Sequence, residues 1–295
     1  MIDLHNHTES SHDGSDAPEA VIERASELGL SAIALTEHDN VKSLERGERR
    51  AKELGIEYIH GMEITCCRSI GQEIVQVDVL GYFFPWPSPG IEALVRDLET
   101  RRSSYLELVF KGLRILGIPV TPDVVRAEFP DRRRSMTWVR ATLQRKGHAV
   151  DKQASRNLQS EAVAAAGRAD LVENIDAGEA IERLRRAGAT TFMAHPFWLT
   201  RSARGGVPEE VCWTHMEHMI DLGIDGFEAY SRDRTTEVLD FCRRHKLPAS
   251  GGSDSHAGGD TRVLGMLDTD SGRKTIGEEL LESMKRHRDG KSPWK

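Results

Sequence analysis

Cysteine is scarce in this chain. There are four in 295 residues, Cys66, Cys67, Cys212 and Cys242. None forms a C-x-x-C pair and two are adjacent, so neither a zinc ribbon nor a disulfide framework is encoded. Reduced thiols in a cytoplasmic protein are the expectation. Long apolar runs are missing too. Nothing approaches the ~20 residues that cross a bilayer, and no basic segment with an apolar stretch precedes the first strand, which argues against a secretory leader and a membrane role. Excess positive charge is also lacking. The formal net charge is −7 with a pI near 6.0, so stable, sequence-independent binding of duplex nucleic acid is not expected. Hydrophobic residues make up 38% and charged residues 29%. That balance suits a globular chain long enough to bury a sizeable core.

Histidine and carboxylates placed at the ends of apolar stretches are what the chain does have. Ile2–His5 reads as a short strand, and His5 and His7 are two residues apart. Side chains at i and i+2 of a strand share a face, so two imidazoles would stand side by side as nitrogen ligands for one metal. A loop follows with His12 and Asp13-Gly14. A helix is predicted from Pro18 to Leu28. Ser31 to Thr36 is a small, buried strand that runs directly into Glu37-His38-Asp39. After a helix over 42–54, a strand from Glu57 carries Glu63 near its end, and a further alternating strand carries Asp78.

From Ile91 to about Val172 the alternation of strand and helix stops. The segment is helical and rich in Arg and Ala, and 100–173 is expected to be an inserted helical subdomain. The alternation then resumes. A strand over 190–194 leads to His195-Pro196, another over 226–230 carries Glu228, and a third over 248–251 leads to Gly252-Ser253-Asp254-Ser255-His256. Repeated strand–helix units predict a parallel sheet, and about seven of them a barrel. In such folds chemistry gathers at the carboxyl ends of the strands. His5, His7, His38, Glu63, Asp78, His195, Asp254 and His256 all fall there, with Asp13 in the first loop. Asp254 and His256 repeat the spacing of His5 and His7.

Taken together, His5-x-His7, Asp13-Gly14, Thr36-Glu37-His38-Asp39, Gly61-Met62-Glu63, Ala194-His195-Pro196 and Gly252-Ser253-Asp254-Ser255-His256 resemble the PHP (polymerase and histidinol phosphatase) superfamily. The resemblance covers about 1–85 and 174–260. The helical insertion is similar to that of the nucleoside 3',5'-bisphosphate phosphatase branch. The resemblance implies an α/β fold, a distorted (β/α)7 TIM-like barrel over 1–99 and 174–295. The inserted helical subdomain, 100–173, would act as a substrate cap. It implies two or three divalent ions, Mn, Fe or Zn. One ion would take His5, His7, Glu63 and Asp254. A second would share Glu63 and take Asp78 and His195. A third would take Asp13, His38 and His256. Related phosphoesterases usually have His where this chain has Asp78, and a carboxylate there favours harder ions. The branch usually carries Gly-Arg-Pro-His in the insertion, where this chain has Arg133-Arg134-Ser135-Met136-Thr137-Trp138.

A site of this kind suits hydrolysis of a phosphate ester by a metal-activated hydroxide. The substrate would be a small phosphorylated metabolite or nucleotide. His195, or a metal-bound water, is the expected proton donor to the leaving oxygen. Asp39 is expected to orient a histidine. Arg134, Arg201 and Arg204 are the candidate phosphate-binding cations. His12 reads as a solvated loop residue. His60 reads equally as pocket lining or core packing, His215 and His218 as an idle helix pair, and Trp198 as a candidate for stacking a base. A 5'-end exonuclease on short RNA or DNA and a non-catalytic metal-binding module are the alternatives.

Overall fold

A computed structural model describes the chain except residues 71–72, 131–134, 199, 202–204, 207, 231–233, 257–262, 270–271 and 295. It is a mixed α/β fold. In chain order the elements begin with β1 (Ile2–Asp3), α1 (Pro18–Glu27), β2 (Ala32–Ile33), α2 (Leu44–Leu54), β3 (Glu57–Tyr58), β4 (Gly61–Ile70) and β5 (Glu73–Tyr82). A helical stretch follows, α3 (Pro89–Ile115), α4 (Pro122–Glu128), α5 (Met136–Arg145) and α6 (Lys152–Ala165). The strands then return with β6 (Ile175–Asp176), α7 (Ala177–Arg186), β7 (Thr190–Met193), β8 (Thr200–Arg201) and β9 (Gly205–Gly206). The chain ends with α8 (Glu209–Asp221), β10 (Gly226–Tyr230), α9 (Thr235–His245), β11 (Ala249–Gly251), β12 (Met266–Thr269), β13 (Gly272–Thr275) and α10 (Glu278–Arg288).

β1, β2 and β3 form one parallel sheet. A second runs β11-β10-β7-β5-β4-β6, with β8 paired to β5 and β9 to β8. The two sheets are stitched together at two places. Beyond β1, single pairings link Asn6 to Ser255, and Leu4 N donates to Gly251 O at 3.1 Å. Beyond β2, His38 pairs with Glu63. The expectation of a wholly parallel sheet fails at β5, which is antiparallel to both β4 and β7. No helix separates β4 from β5, and a short connection can only return the chain antiparallel. The strand expected over 57–65 is two pieces, β3 and β4, the second running on to Ile70.

The segment 91–172 is helical as expected. α3 starts at Ser88, whose side chain accepts from Ile91 N, with Pro89 in the first turn. The helix serves two cores. Ile91, Leu94 and Leu98 pack into the large core under the sheet. Tyr105, Leu106, Val109 and Leu113 pack with residues of α4, α5 and α6 into a separate one. The change of allegiance therefore falls within one continuous helix.

Gly112 sits where α3 crosses α6. A Cβ there would lie 1.8 Å from the carbonyl oxygen of Ala162, which is backbone and cannot step aside. Gly112→Ala should therefore lower stability by about 1–3 kcal/mol, despite the ~1 kcal/mol that alanine gains in a helix interior. A urea melt with an unchanged or higher midpoint would contradict this packing.

Candidate metal centre

The rim at the carboxyl ends of β1, β2, β7 and β11, together with the β4–β5 hairpin, collects the candidate ligands. His5 and His7 follow β1, and Asp254 and His256 follow β11. β1 and the loop after β11 are held together by Asp3, which is fully buried. Its Oδ1 accepts from Ser253 N at 2.9 Å and its Oδ2 from Gly265 N at 2.7 Å. The loop can approach β1 this closely because residue 252 is glycine. A Cβ there would meet His5 Cβ at 2.2 Å.

Glu63, fully buried on β4, is the hub. Its Oε2 lies 3.2 Å from His5 Nε2, from His7 Nε2 and from His38 Nδ1. Its Oε1 lies 3.2 Å from His195 Nε2. Asp254 Oδ1 is 3.5 Å from His5 Nε2 and 3.3 Å from His7 Nε2. Asp13 Oδ2 is 3.3 Å from His256 Nε2 and 3.5 Å from His38 Nε2. Asp78 Oδ2 is more distant, 3.8 Å from His195 Nε2. Three subsets have ligand atoms close enough to share an ion: His5, His7 and Asp254; His5, Glu63 and His195; and His7, Asp13, His38 and His256. Eight of the nine residues expected as ligands fall in these groups, His5 and His7 in two each, and Asp78 falls in none of them.

The donor set fits divalent ions. Among the described residues, Asp13 Oδ1, Glu63 Oε2 and Asp78 Oδ1 are buried and accept no well-directed hydrogen bond, the histidine nitrogens near Glu63 Oε2 included. A buried carboxylate oxygen left so is costly unless a cation or proton satisfies it. His5 shows the complementary feature. Its Nδ1 lies 2.9 Å from Glu228 Oε1, so the ring donates there and turns the Nε2 lone pair inward. Glu228 also accepts from His195 N at 2.8 Å through Oε2. Glu228 therefore anchors both sides of the centre. Its place at a strand end on the rim is the sequence signal for it.

Electrostatics agree with this. Burial would raise the Glu63 carboxyl, but His38 and His5 hold it well below the usual range. Burial, together with the Glu63 charge, lifts Asp78 to about 6, partly offset by His195. At His195 burial opposes the charged ring. Hydrogen bonding to Glu63 and its field, with Asp78, outweigh that and raise the ring to about 9. The backbone is strained at three of these places. Asp39, His195 and Asp254 have φ of 52°, 28° and 54°, a region that costs non-glycine residues and marks positions held by their surroundings.

Other expectations fare differently. Asp39 does not touch a histidine ring. Its Oδ1 accepts from Thr65 N at 3.0 Å, and its Oδ2 accepts from Arg102 of α3. The left-handed backbone at Asp39 turns its carboxylate toward the helical segment. His12 is partly buried rather than freely solvated. It packs 3.5 Å from Asp13 and is pushed down to about 3, mainly by burial and then by His38. His60 turns away, to Phe84 O and Glu48. His215 is buried on α8. Trp198 stacks on His195 with ring centroids 5.4 Å apart. Arg134 and Arg204 lie outside the described residues, as does the side chain of Arg201. Sequence reasoning missed Ser11, whose hydroxyl accepts from His38 N at 2.9 Å and lies 3.1 Å from His7 Nδ1. It also missed Arg102, one arginine among many on a long helix.

Residues 3–111 match the PHP domain family model. The chain is 26% identical over 261 residues to a 5'-3' exoribonuclease of Haemophilus influenzae, covering 86% of this chain and 89% of that protein. It is 27% identical over 271 residues to a 3',5'-nucleoside bisphosphate phosphatase of Chromobacterium violaceum, covering 88% of each. Its fold matches a crystal structure from Bifidobacterium adolescentis assigned as a metal-dependent phosphoesterase, with a TM-score of 0.61, 24% identity and 90% of each chain covered. Both named relatives are hydrolases of phosphoric esters. Metal-dependent phosphoester hydrolysis is the activity that the relatives and the donor set support. No described helix is long and apolar enough to cross a membrane.

An ion at Glu63 and His195 needs the lone pair that holds a proton up to about pH 9 in the metal-free protein. His195 thus contributes stability below its ordinary pKa near 6.5, and that contribution is lost as pH rises towards 9. Metal uptake at pH 7.5 should therefore release about one proton or more. Calorimetric titration with Mn²⁺ in two buffers of different ionisation enthalpy checks this. Equal heats in both would contradict the site.

Proposed function

We propose that this chain, a PHP-domain protein, is a phosphoesterase in which a distorted (β/α)7 barrel holds two or three divalent ions under a helical cap. The stitches from β1 to β11 and from β2 to β4 support the barrel reading. The separate cores along α3 support a cap over 100–173 on a barrel of 1–99 and 174–295. The observation that carries the proposal is Glu63, a buried carboxylate facing four histidines with one oxygen that accepts no well-directed hydrogen bond.

We assign His5, His7, Glu63 and Asp254 to one ion, Glu63, Asp78 and His195 to a second, and Asp13, His38 and His256 to a third. The ions would be Mn, Fe or Zn. Such ions, when bound, lower the pKa of water and neutralise phosphoryl charge. The chain's own groups do the rest. Glu228 holds His5 in the tautomer with Nε2 facing inward. His195 Nε2 serves as a ligand where an ion sits beside it, and otherwise as proton donor to the leaving oxygen. Asp39 positions rather than reacts, fixing Arg102 at the mouth of the site. Trp198, stacked on His195, offers a face for a base. The substrate is read as a small phosphorylated molecule, a nucleotide above all, with Arg134, Arg201 and Arg204 as candidate phosphate contacts. A 5'-end exonuclease on short RNA is the second reading, favoured by the similarity to the Haemophilus protein.

Purified protein with Mn²⁺ should release phosphate or nitrophenol from simple phosphoesters, and a chelator should abolish the turnover. His5→Ala should lower kcat/KM by about 10³-fold or more, as loss of a whole ion requires. Undiminished turnover in His5→Ala would place the reaction elsewhere. A panel of nucleoside bisphosphates against 5'-phosphorylated oligonucleotides separates the two readings.

A further inference from the structure

α3 passes from one core to the other over a short stretch. Leu98 packs in the large core and Tyr105 in the second. Arg102 lies between them, where the helix changes core. Its Nη2 donates to Asp39 Oδ2. Both side chains are largely withdrawn from water, Asp39 at 6% exposure and Arg102 at 19%. The neighbouring Arg101 pairs instead with Asp97 and Glu179 and is 42% exposed. The Arg102 pair is thus unlike the exposed ion pairs of the same helix, which contribute little.

The other oxygen of Asp39 gives the pair a direction. The chain after β2 runs beside β4. Glu63 N donates to Glu37 O at 3.2 Å, and Asp39 N to Glu63 O at 2.7 Å. Main-chain pairing ends there, where the left-handed backbone at Asp39, with φ of 52°, turns the chain away. The next N–H on that edge of β4 belongs to Thr65, and it donates to Asp39 Oδ1 at 3.0 Å. The carboxylate stands in for the missing carbonyl. Thr65 Oγ1 in turn lies 3.3 Å from His38 Nδ1. Glu63 Oε2 is as near to that nitrogen, at 3.2 Å, but accepts no well-directed hydrogen bond. Thr65 Oγ1 is therefore the acceptor for His38 Nδ1–H. With Nδ1 so occupied, Nε2 is the nitrogen turned to Asp13 Oδ2, 3.5 Å away. Contacts thus run from the inserted helices to a single ring, through Arg102, Asp39, Thr65 and His38. His5 is set by Glu228 and His7 by Ser11, neither of them on the helical segment.

We propose that Arg102 is a positioning residue for the ion assigned to Asp13, His38 and His256. By holding Asp39 on Thr65, it keeps the His38 ring in the orientation that ligates. Docking of the helical segment then governs the affinity of that one ion. This rests on the metal centre of the proposed function. The sign of the effect separates positioning from charge. A guanidinium near a cation repels it, so by charge alone its removal would tighten binding. Positioning predicts weaker binding.

Mn²⁺ binding to chelator-stripped protein, counted from the EPR signal of the free ion, tests this. In Arg102→Gln one binding step should weaken by about 10- to 100-fold, the range for groups that orient a ligand, while the others stay within about twofold. Arg102→Lys, which keeps a charge for Asp39, should recover part of the loss. Thr65→Val keeps the N–H bound to Asp39 and removes the hydroxyl at His38. It should weaken the same step with Arg102 in place. In a His256→Ala background, where that ion is already impaired, Arg102→Gln should shift the remaining steps by less than about twofold. Tighter binding in Arg102→Gln, equal weakening of every step, or a lower melting temperature with unchanged binding each overturns the positioning role. Wild-type protein that takes up no Mn²⁺ overturns the metal centre and this role together. Wild-type uptake that Arg102→Gln and Thr65→Val both match overturns the role and leaves the centre standing.

Discussion

Glu63 is the constraint to which the rest of the rim answers. A carboxylate removed from water costs several kcal/mol unless charge and hydrogen bonds compensate. Here four histidine rings from three different parts of the chain point at it, and one of its oxygens still accepts no well-directed hydrogen bond. With cations, the same lone pairs and oxygens become ligands. Such a donor set is costly in isolation, and a cation is what would offset that cost.

A surrounding layer of backbone and polar contacts makes that geometry hold. Asp3 ties β1 to the loop after β11 through backbone N–H groups, and Gly252 lets the two run in contact. Glu228 fixes the His5 tautomer and caps His195 from one carboxylate. The left-handed backbone at Asp39, His195 and Asp254 is tolerated because each residue is held from several sides. Such strain of about 1–3 kcal/mol per residue is supplied by the large core beneath, where Ile2, Leu4, Met62, Ile64, Val79 and Phe192 are fully buried.

The helical segment is joined to this rim both mechanically and electrically. α3 begins in the large core under the sheet and ends in a separate one, so it cannot tilt without disturbing one of them. On its inner side Arg102 meets Asp39, next to His38. Arg140 of α5 and Arg156 of α6 line a cavity with Gln76, whose Nε2 donates to Asp78 Oδ2.

The candidate cluster was legible because histidines and carboxylates at i and i+2, just past short apolar strands, are a local pattern, and strand pleating alone puts such pairs on one face. The helical break at 91–172 was equally local, a change in hydrophobic period. The reversal at β5 was hidden, because strand patterning is the same whichever way a neighbour runs. Asp39 and Glu228 exchange expected importance for the same kind of reason: whether a carboxylate meets a histidine 223 residues away or an arginine 63 residues away depends on sheet order and backbone turn. The sequence by itself determined which chemistry the rim can do, since donor types and their spacing are local. Only the tertiary structure decided which donors come within reach of one another and which carboxylate orients which ring, because each depends on contacts between segments far apart in the chain.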